Sequence, residues 1–205
     1  MIVEKYFHNL SEKQKKQFET LAATCRLWND RINVISRKDI DNLETNHILH
    51  SLAIAKFIQF TPGSSIIDLG AGGGFPSLPL AVLFPDVMFH LVDRIGKKLR
   101  VAGYIAEECG LQNTSFQHGD FSECKIGADF IVSRAVMPQA DLIKLSRKNI
   151  KKENLNALPN GVISLKGGDL GVEIKNINYP TEVVDIKSFF EEPFFDTKKI
   201  VYTSL

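Results

Sequence analysis

Ile66-Ile67-Asp68-Leu69-Gly70-Ala71-Gly72-Gly73-Gly74-Phe75-Pro76 is an apolar run that ends in an acid and then in alternate glycines. A second apolar run, Met88-Phe89-His90-Leu91-Val92, ends in Asp93. Together they predict two neighbouring parallel strands whose carboxyl ends hold a nucleoside. Gly70, Gly72 and Gly74 give the turn backbone angles and a close approach that a Cβ forbids. Asp93, about twenty residues beyond the turn, suits hydrogen bonds from both hydroxyls of a ribose.

Outward from this motif the chain alternates strand and helix. Strands are predicted at 65–69, 88–93, 114–118, 129–133 and 161–166. Helices are predicted after Pro76, from 97 to a C-cap at Gly110, and from 139. Two more strand-like runs, 182–189 and 199–204, have no helix pattern between them and are expected to pair antiparallel. Upstream, Ser11-Glu12-Lys13-Gln14 has capping-box form. Phe18, Leu21, Ala22, Cys25 and Trp28 follow as one apolar stripe, with Trp28 read as a core residue. A second helical segment covers 41–60, and Thr61-Pro62-Gly63 is a turn and a domain boundary. The expected organisation is an N-terminal helical cap, residues 1–60, on an α/β core, residues 61–205, with a doubly wound sheet and helices on both faces.

The glycine turn discriminates among ligands. A dinucleotide fingerprint needs glycine where Phe75 stands, and no Gly-Lys-Ser/Thr of a phosphate-gripping loop is present. The pattern Asp68-x-Gly70-x-Gly72-x-Gly74 suits a ligand with an adenosine and an amino-acid tail but no phosphate. S-adenosylmethionine has that form.

Composition bounds the rest. The chain has 205 residues, 44% of them hydrophobic, enough for a full core. Its net charge of +1 argues against an all-over basic coat, while Lys13/Lys15/Lys16, Lys97/Lys98/Arg100 and Arg147/Lys148/Lys151/Lys152 permit local phosphate contacts. No apolar run approaches the ~20 residues of a membrane span. The opening residues lack the layout of a secretion signal. Cys25, Cys109 and Cys124 are an odd set at no ligand spacing and read as reduced thiols of a cytoplasmic protein. His47 and His50 lie one helical turn apart with no further ligand nearby, so no metal is expected.

In a doubly wound sheet the residues to examine are those just past each strand. They are 70–75, Asp93-Arg94, Gly119-Asp120-Phe121-Ser122, Ser133-Arg134-Ala135 and Lys166-Gly167-Gly168. Phe121 suits an adenine face, and Asp120 or nearby backbone groups suit its amino edge, although Asp120 also fits a loop cap.

In these segments the chain resembles the bacterial small-subunit rRNA guanine-N7 methyltransferases, the glucose-inhibited division protein B family. The resemblance covers almost the whole chain. It rests on Trp28-Asn29, Asn33-Val34-Ile35-Ser36, His47 to Leu52, Asp68 to Pro76, Leu91-Val92-Asp93, Ser133-Arg134-Ala135 and Leu165-Lys166-Gly167. Asn46, His50 and Ser77 depart from the family's common residues. The resemblance implies a class I S-adenosylmethionine-dependent methyltransferase fold: a mostly parallel seven-stranded sheet, a C-terminal antiparallel hairpin and an N-terminal helical extension. It implies methyl transfer to N7 of one guanine in 16S rRNA. The expected partner is 16S rRNA or the small ribosomal subunit, and the expected state is a monomer. Gly70, Phe75, Phe121-Ser122 and Arg134 fall at its cofactor-contact positions.

The chemistry is consistent. Guanine N7 has a lone pair and no proton, so no general base is needed. The chain accordingly shows no Ser-His-Asp set, no paired carboxylates and no Asn/Asp-Pro-Pro-aromatic motif after strand four. Arg134 is the catalytic candidate through positioning. It suits the cofactor carboxylate bidentately, an RNA group, or a structural ion pair. Expected cofactor contacts are Asp68, Gly70, Gly72, Phe75, Asp93, Asp120, Phe121, Ser122 and Arg134. Lys166, Asn29, Asn33, Arg37, His47 and His50 are the candidates for RNA contact; a solvated loop lysine is the plainer alternative for Lys166, and turn capping for the other five. Two other functions fit the same pattern: a small-molecule methyltransferase, and a non-catalytic RNA-binding module.

Overall fold

The computed structural model describes residues 1–134 and 136–205. Ala135, the last residue of the Ser-Arg-Ala turn, lies outside the described residues. Helices run α1 Ile2–Tyr6, α2 Glu12–Asn29, α3 His50–Phe57, α4 Ser77–Leu83, α5 Gly96–Glu108, α6 Gln139–Ser146 and α7 Gly171–Lys175. Strands run β1 Ser65–Leu69, β2 Met88–Asp93, β3 Thr114–His118, β4 Phe130–Arg134, β5 Gly161–Gly167, β6 Thr181–Asp185 and β7 Lys198–Ser204.

The seven strands form one sheet in the order β3-β2-β1-β4-β5-β7-β6. The first five are parallel, and β7 is antiparallel to both β5 and β6. The chain winds outward from β1 through β2 to β3, then returns to β4 on the other side of β1. That reversal opens a crevice at the carboxyl ends of β1 and β4, where such sheets bind ligands.

Strand alternation sorts the side chains onto two faces. Ile66, Phe89, Leu91, Phe130, Val132, Ile163 and Leu165 join a large cluster with Phe18, Leu21, Leu49, Leu52 and Ile54 from the N-terminal helices. Ile67, Leu69, Val92, Ile131 and Val162 join a smaller cluster with Phe121 and Leu142. Asp68 shares the parity of Ile66, and Arg134 that of Phe130 and Val132, so both belong to the N-terminal face. Lys166 shares the parity of Val162 and belongs to the α6 face.

The capping box forms as expected: Ser11 Oγ accepts the Gln14 amide, and Gln14 Oε1 accepts the Ser11 amide. Trp28 is half-buried and packs against the core as expected, stacked on Tyr104 of α5 at 4.6 Å and 1°. The helix expected over 41–60 is three pieces: a 3₁₀ turn Ile40–Asn42, a π-helix Leu43–Leu49 and α3. The wide π turn lets two consecutive residues, Asn46 and His47, reach one carboxylate, Asp39. Helix α3 stops at Phe57 because the chain must extend to seat Phe60 in the core, against Phe84 at 5.2 Å and Phe130 at 5.6 Å.

Candidate active site

The glycine turn is held open from both sides of the sheet. Gly70 and Ala71 donate their amides to Val92 O, and Gly72 donates to Asp93 Oδ2 at 2.7 Å. Asp93 Oδ1 accepts the Ile95 amide at 2.6 Å. Both oxygens of Asp93 are therefore fixed by backbone, each with a lone pair left for a ligand. Gly70 has φ +77°, and a Cβ there would lie 2.6 Å from Val136, so the segment after β4 sits directly on the turn. A Cβ on Gly73 would lie 2.8 Å from Val34. Val34 is seated there because the Asn29 carboxamide oxygen accepts the amides of Val34 and Ile35, both at 2.9 Å.

On the α6 side lies a cleft of about 300 Å³, lined by Leu69, Gly70, Asp93, Asp120, Phe121, Val136 and Met137 among others. Its size is at the lower end for small-molecule sites, which span about 300–1,000 Å³. Phe121 is buried and anchors the floor. Asp120 Oδ1 caps the following turn through the Ser122 amide at 2.8 Å, and Oδ2 meets the Arg94 guanidinium. Ser122 and Arg94 hold the Asp120 carboxyl below its usual range. Asp120 is thus a cap and a wall of the cleft at once, while the Ser122 amide is spent on that cap.

On the N-terminal side lies a second polar cluster. The Arg134 guanidinium packs on the face of Phe75, 5.2 Å from its centroid, and His47 meets the same ring edge-on at 5.8 Å. Burial pulls Arg134 down to about 10. Among the described residues, no carboxylate pairs with it within 4 Å. Asp68 is fully buried; its Oδ2 accepts the Ser77 amide at 3.2 Å, and Oδ1 has no partner. Burial raises its pKa to about 7. Burial and the Arg134 charge lower His47 to about 4, so its ring is neutral at pH 7 and donates Nε2–H to Asp39 Oδ2 at 2.6 Å. The same causes hold His50 well below its ordinary value.

The fold therefore divides the expected cofactor residues. Gly70, Asp93, Asp120 and Phe121 line the cleft, whereas Asp68, Phe75 and Arg134 lie on the far side of the glycine turn. The set fits S-adenosylmethionine: an apolar cleft edged with carboxylates for the nucleoside, then an orphaned carboxylate oxygen and an unpaired guanidinium for the ammonium and carboxylate of an amino acid. Among the described residues, no group of His, Cys, Asp and Glu forms a metal cluster.

The RNA-contact candidates fare differently. Asn33 and Arg37 are exposed on the segment that carries Val34. Asn29 and His50 are buried, at 3% and 6% exposure, and Asn29 is spent on the backbone it caps. His47 is half-buried and tied to Asp39. Lys166 departs most from expectation. Its ammonium donates to Met137 O at 2.8 Å and pairs with Glu173 Oε1 at 2.8 Å, with the side chain 9% exposed. Glu173 Oε1 also accepts the Gln139 amide at 2.7 Å. Lys166 is thus a latch on the segment that closes the cleft. Sequence reasoning missed Val34, Val136, Asp39 and Glu173. Strand parity was the one signal that separated Lys166 from Arg134.

The family model described as rRNA small subunit methyltransferase G matches residues 14–179. A protein named Ribosomal RNA small subunit methyltransferase G from Phocaeicola vulgatus is 57% identical over 204 residues, covering 100% of this chain and 98% of that one. One of the same name from Cytophaga hutchinsonii is 47% identical over 201 residues, covering 98% and 97%. Among solved structures, a SAM dependent methyltransferase from Aquifex aeolicus has the same fold, with a TM-score of 0.59 at 14% identity over 82% of this chain and 98% of that one.

Proposed function

The chain belongs to the rRNA small subunit methyltransferase G family, and from that premise we propose that it methylates N7 of a guanine in 16S rRNA. S-adenosylmethionine, when bound, supplies an electrophilic methyl group on a sulfonium. The chain's own residues bind, orient and exclude water.

One observation carries the reading: half-buried Arg134, without a carboxylate within 4 Å among the described residues, and fully buried Asp68, with Oδ1 unpartnered, lie beside the glycine turn. An amino-acid carboxylate matches a guanidinium bidentately. Arg134 acts there and not on N7, because N7 becomes cationic as it is methylated and a neighbouring guanidinium opposes that charge. No side chain is required to take a proton, since N7 carries none. The nearest imidazole, His47, is neutral and bonded to Asp39; its work is to hold Phe75 and the π turn in place. Alignment of this kind supplies up to about 7–11 kcal/mol of barrier lowering in favourable cases. Val34 and Val136, seated on the two sides of the glycine turn, exclude water from it. The exposed Asn33 and Arg37 flank the mouth and suit phosphate or base contacts.

The test is methyl incorporation from labelled S-adenosylmethionine into small ribosomal subunits or 16S rRNA from cells with and without this gene. The expected product is N7-methylguanosine, formed only on RNA from cells lacking the gene. Label on another atom, or on small metabolites instead of RNA, would overturn the reading.

A further inference from the structure

We infer that the groove between α5 and β3 receives an unpaired nucleotide of the RNA substrate that flanks the target site. The inference rests on the function proposed above and adds a place for the flanking RNA. The groove has a volume of about 540 Å³ and is lined by Gly96, Leu99, Arg100, Gly103, Tyr104, Glu107, Phe116 and His118.

Three independent observations point to a flat, anionic guest. First, aromatic rings are left in water: Tyr104 is 44% exposed and Phe116 37%. Tyr104 is also held rigid by Trp28, stacked parallel to it, with the Arg31 guanidinium 5.5 Å from the Trp28 ring. Aromatic platforms of this kind stack bases without regard to sequence. Second, Gly103 lies inside α5, where glycine is destabilising relative to alanine. A Cβ at 103 would meet nothing within 4 Å, so no packing within the chain requires glycine there. The space beside it is open to a guest lying against the helix. Third, the rim is basic. Arg100 in the lining and Lys97, three residues before it on α5, are exposed and form no ion pair among the described residues; Glu107 is the acid in the lining.

The groove adjoins the nucleoside end of the cleft. Ile95 lines the cofactor cleft and Gly96 the groove, and His118 hydrogen-bonds Arg94 O between them. RNA docked over the cleft therefore has a stacking surface beside it.

The experiment uses the full chain with Gly103→Leu, Phe116→Ala and Arg100→Glu, assayed on small ribosomal subunits that lack the methyl group, with binding to deproteinised 16S rRNA measured in parallel. Gly103→Leu fills the groove and keeps the helix, so folding and S-adenosylmethionine affinity stay at the parent's values. Each variant is expected to raise the KM for RNA about ten-fold with kcat little changed. Arg100→Glu also makes binding less steeply dependent on salt. RNA KM values within two-fold of the parent for both Gly103→Leu and Phe116→Ala overturn the inference while leaving the proposed function intact. Weakened action on subunits with unchanged binding to bare rRNA assigns the groove to a ribosomal protein and also overturns it. A parent that methylates no RNA at all overturns the proposed function and the groove together.

Discussion

Replacing Lys166 by Met separates a latch from an RNA contact. The substitution keeps the aliphatic stem and removes the ammonium that bonds Met137 O and Glu173 Oε1, each at 2.8 Å. Removing one partner of a buried ion pair costs about 3–5 kcal/mol. Glu173 remains 25% exposed, so water reaches the abandoned carboxylate. The lower end therefore applies, about 3 kcal/mol. For a chain of this size each kcal/mol lowers Tm by roughly 2–4 °C, so the expected loss is roughly 6–12 °C. Adding Glu173→Gln removes the stranded charge and is expected to recover at least half of that loss in a double-mutant cycle. Calorimetric titration should show weaker S-adenosylmethionine binding, because Val136 and Met137 line the cleft. Affinity for rRNA, measured with salt held constant, should not change. Unchanged Tm and cofactor affinity with weakened rRNA binding would refute the latch and return Lys166 to the phosphate role first expected of it.

Arg134→Ala is expected to abolish methyl transfer and cofactor binding with Tm unchanged or raised, since a desolvated cation without a carboxylate partner is lost; retained transfer removes the assignment. Asp68→Asn tests the buried acid. Its folded pKa, about 7, lies above the unfolded value of 3.8, so the folded state keeps a proton that the unfolded state has released. Stability from this group therefore falls as pH rises from about 4 to 7, by at most about 4 kcal/mol at 1.36 kcal/mol per unit. The Asn variant should show a flatter chemical-denaturation profile over that window, and parallel profiles for the two proteins would contradict the burial argument. Asn29→Ala strips the acceptor of the Val34 and Ile35 amides and should cost about 1–3 kcal/mol by denaturation. Asn29→Asp, which keeps the acceptor, should restore most of it.

The sheet was legible because its signals are local. An apolar run ending in an acid and a glycine turn fixes β1 within five residues, and the same reasoning found β2, β3, β4 and β5 to within about a residue. The antiparallel pairing of β6 and β7 was legible too. The insertion of β7 beside β5 was not, because no local feature of 198–204 names its second neighbour. In the site, Asp93 and Phe121 were legible because each lies next to the strand end that orients it. The Asp39–His47 pair depends on a π turn that no periodicity predicts, and the Lys166–Glu173 pair depends on α7, five residues long and without a pattern of its own. Asn29 and His50 were candidates for RNA contact with turn capping as the alternative; Asn29 caps the Val34–Ile35 backbone, and tertiary packing buries His50.

The central claim is that the donor lies across the carboxyl ends of β1 and β2, with its amino-acid end turned toward Arg134. A crystal structure of the chain with S-adenosylhomocysteine tests it most directly. The account predicts adenosine in the cleft, ribose hydroxyls on Asp93, adenine beside Phe121 and the carboxylate on Arg134. Ligand density in the α5/β3 groove, or adenosine in the cleft with its carboxylate directed away from Arg134, would contradict it.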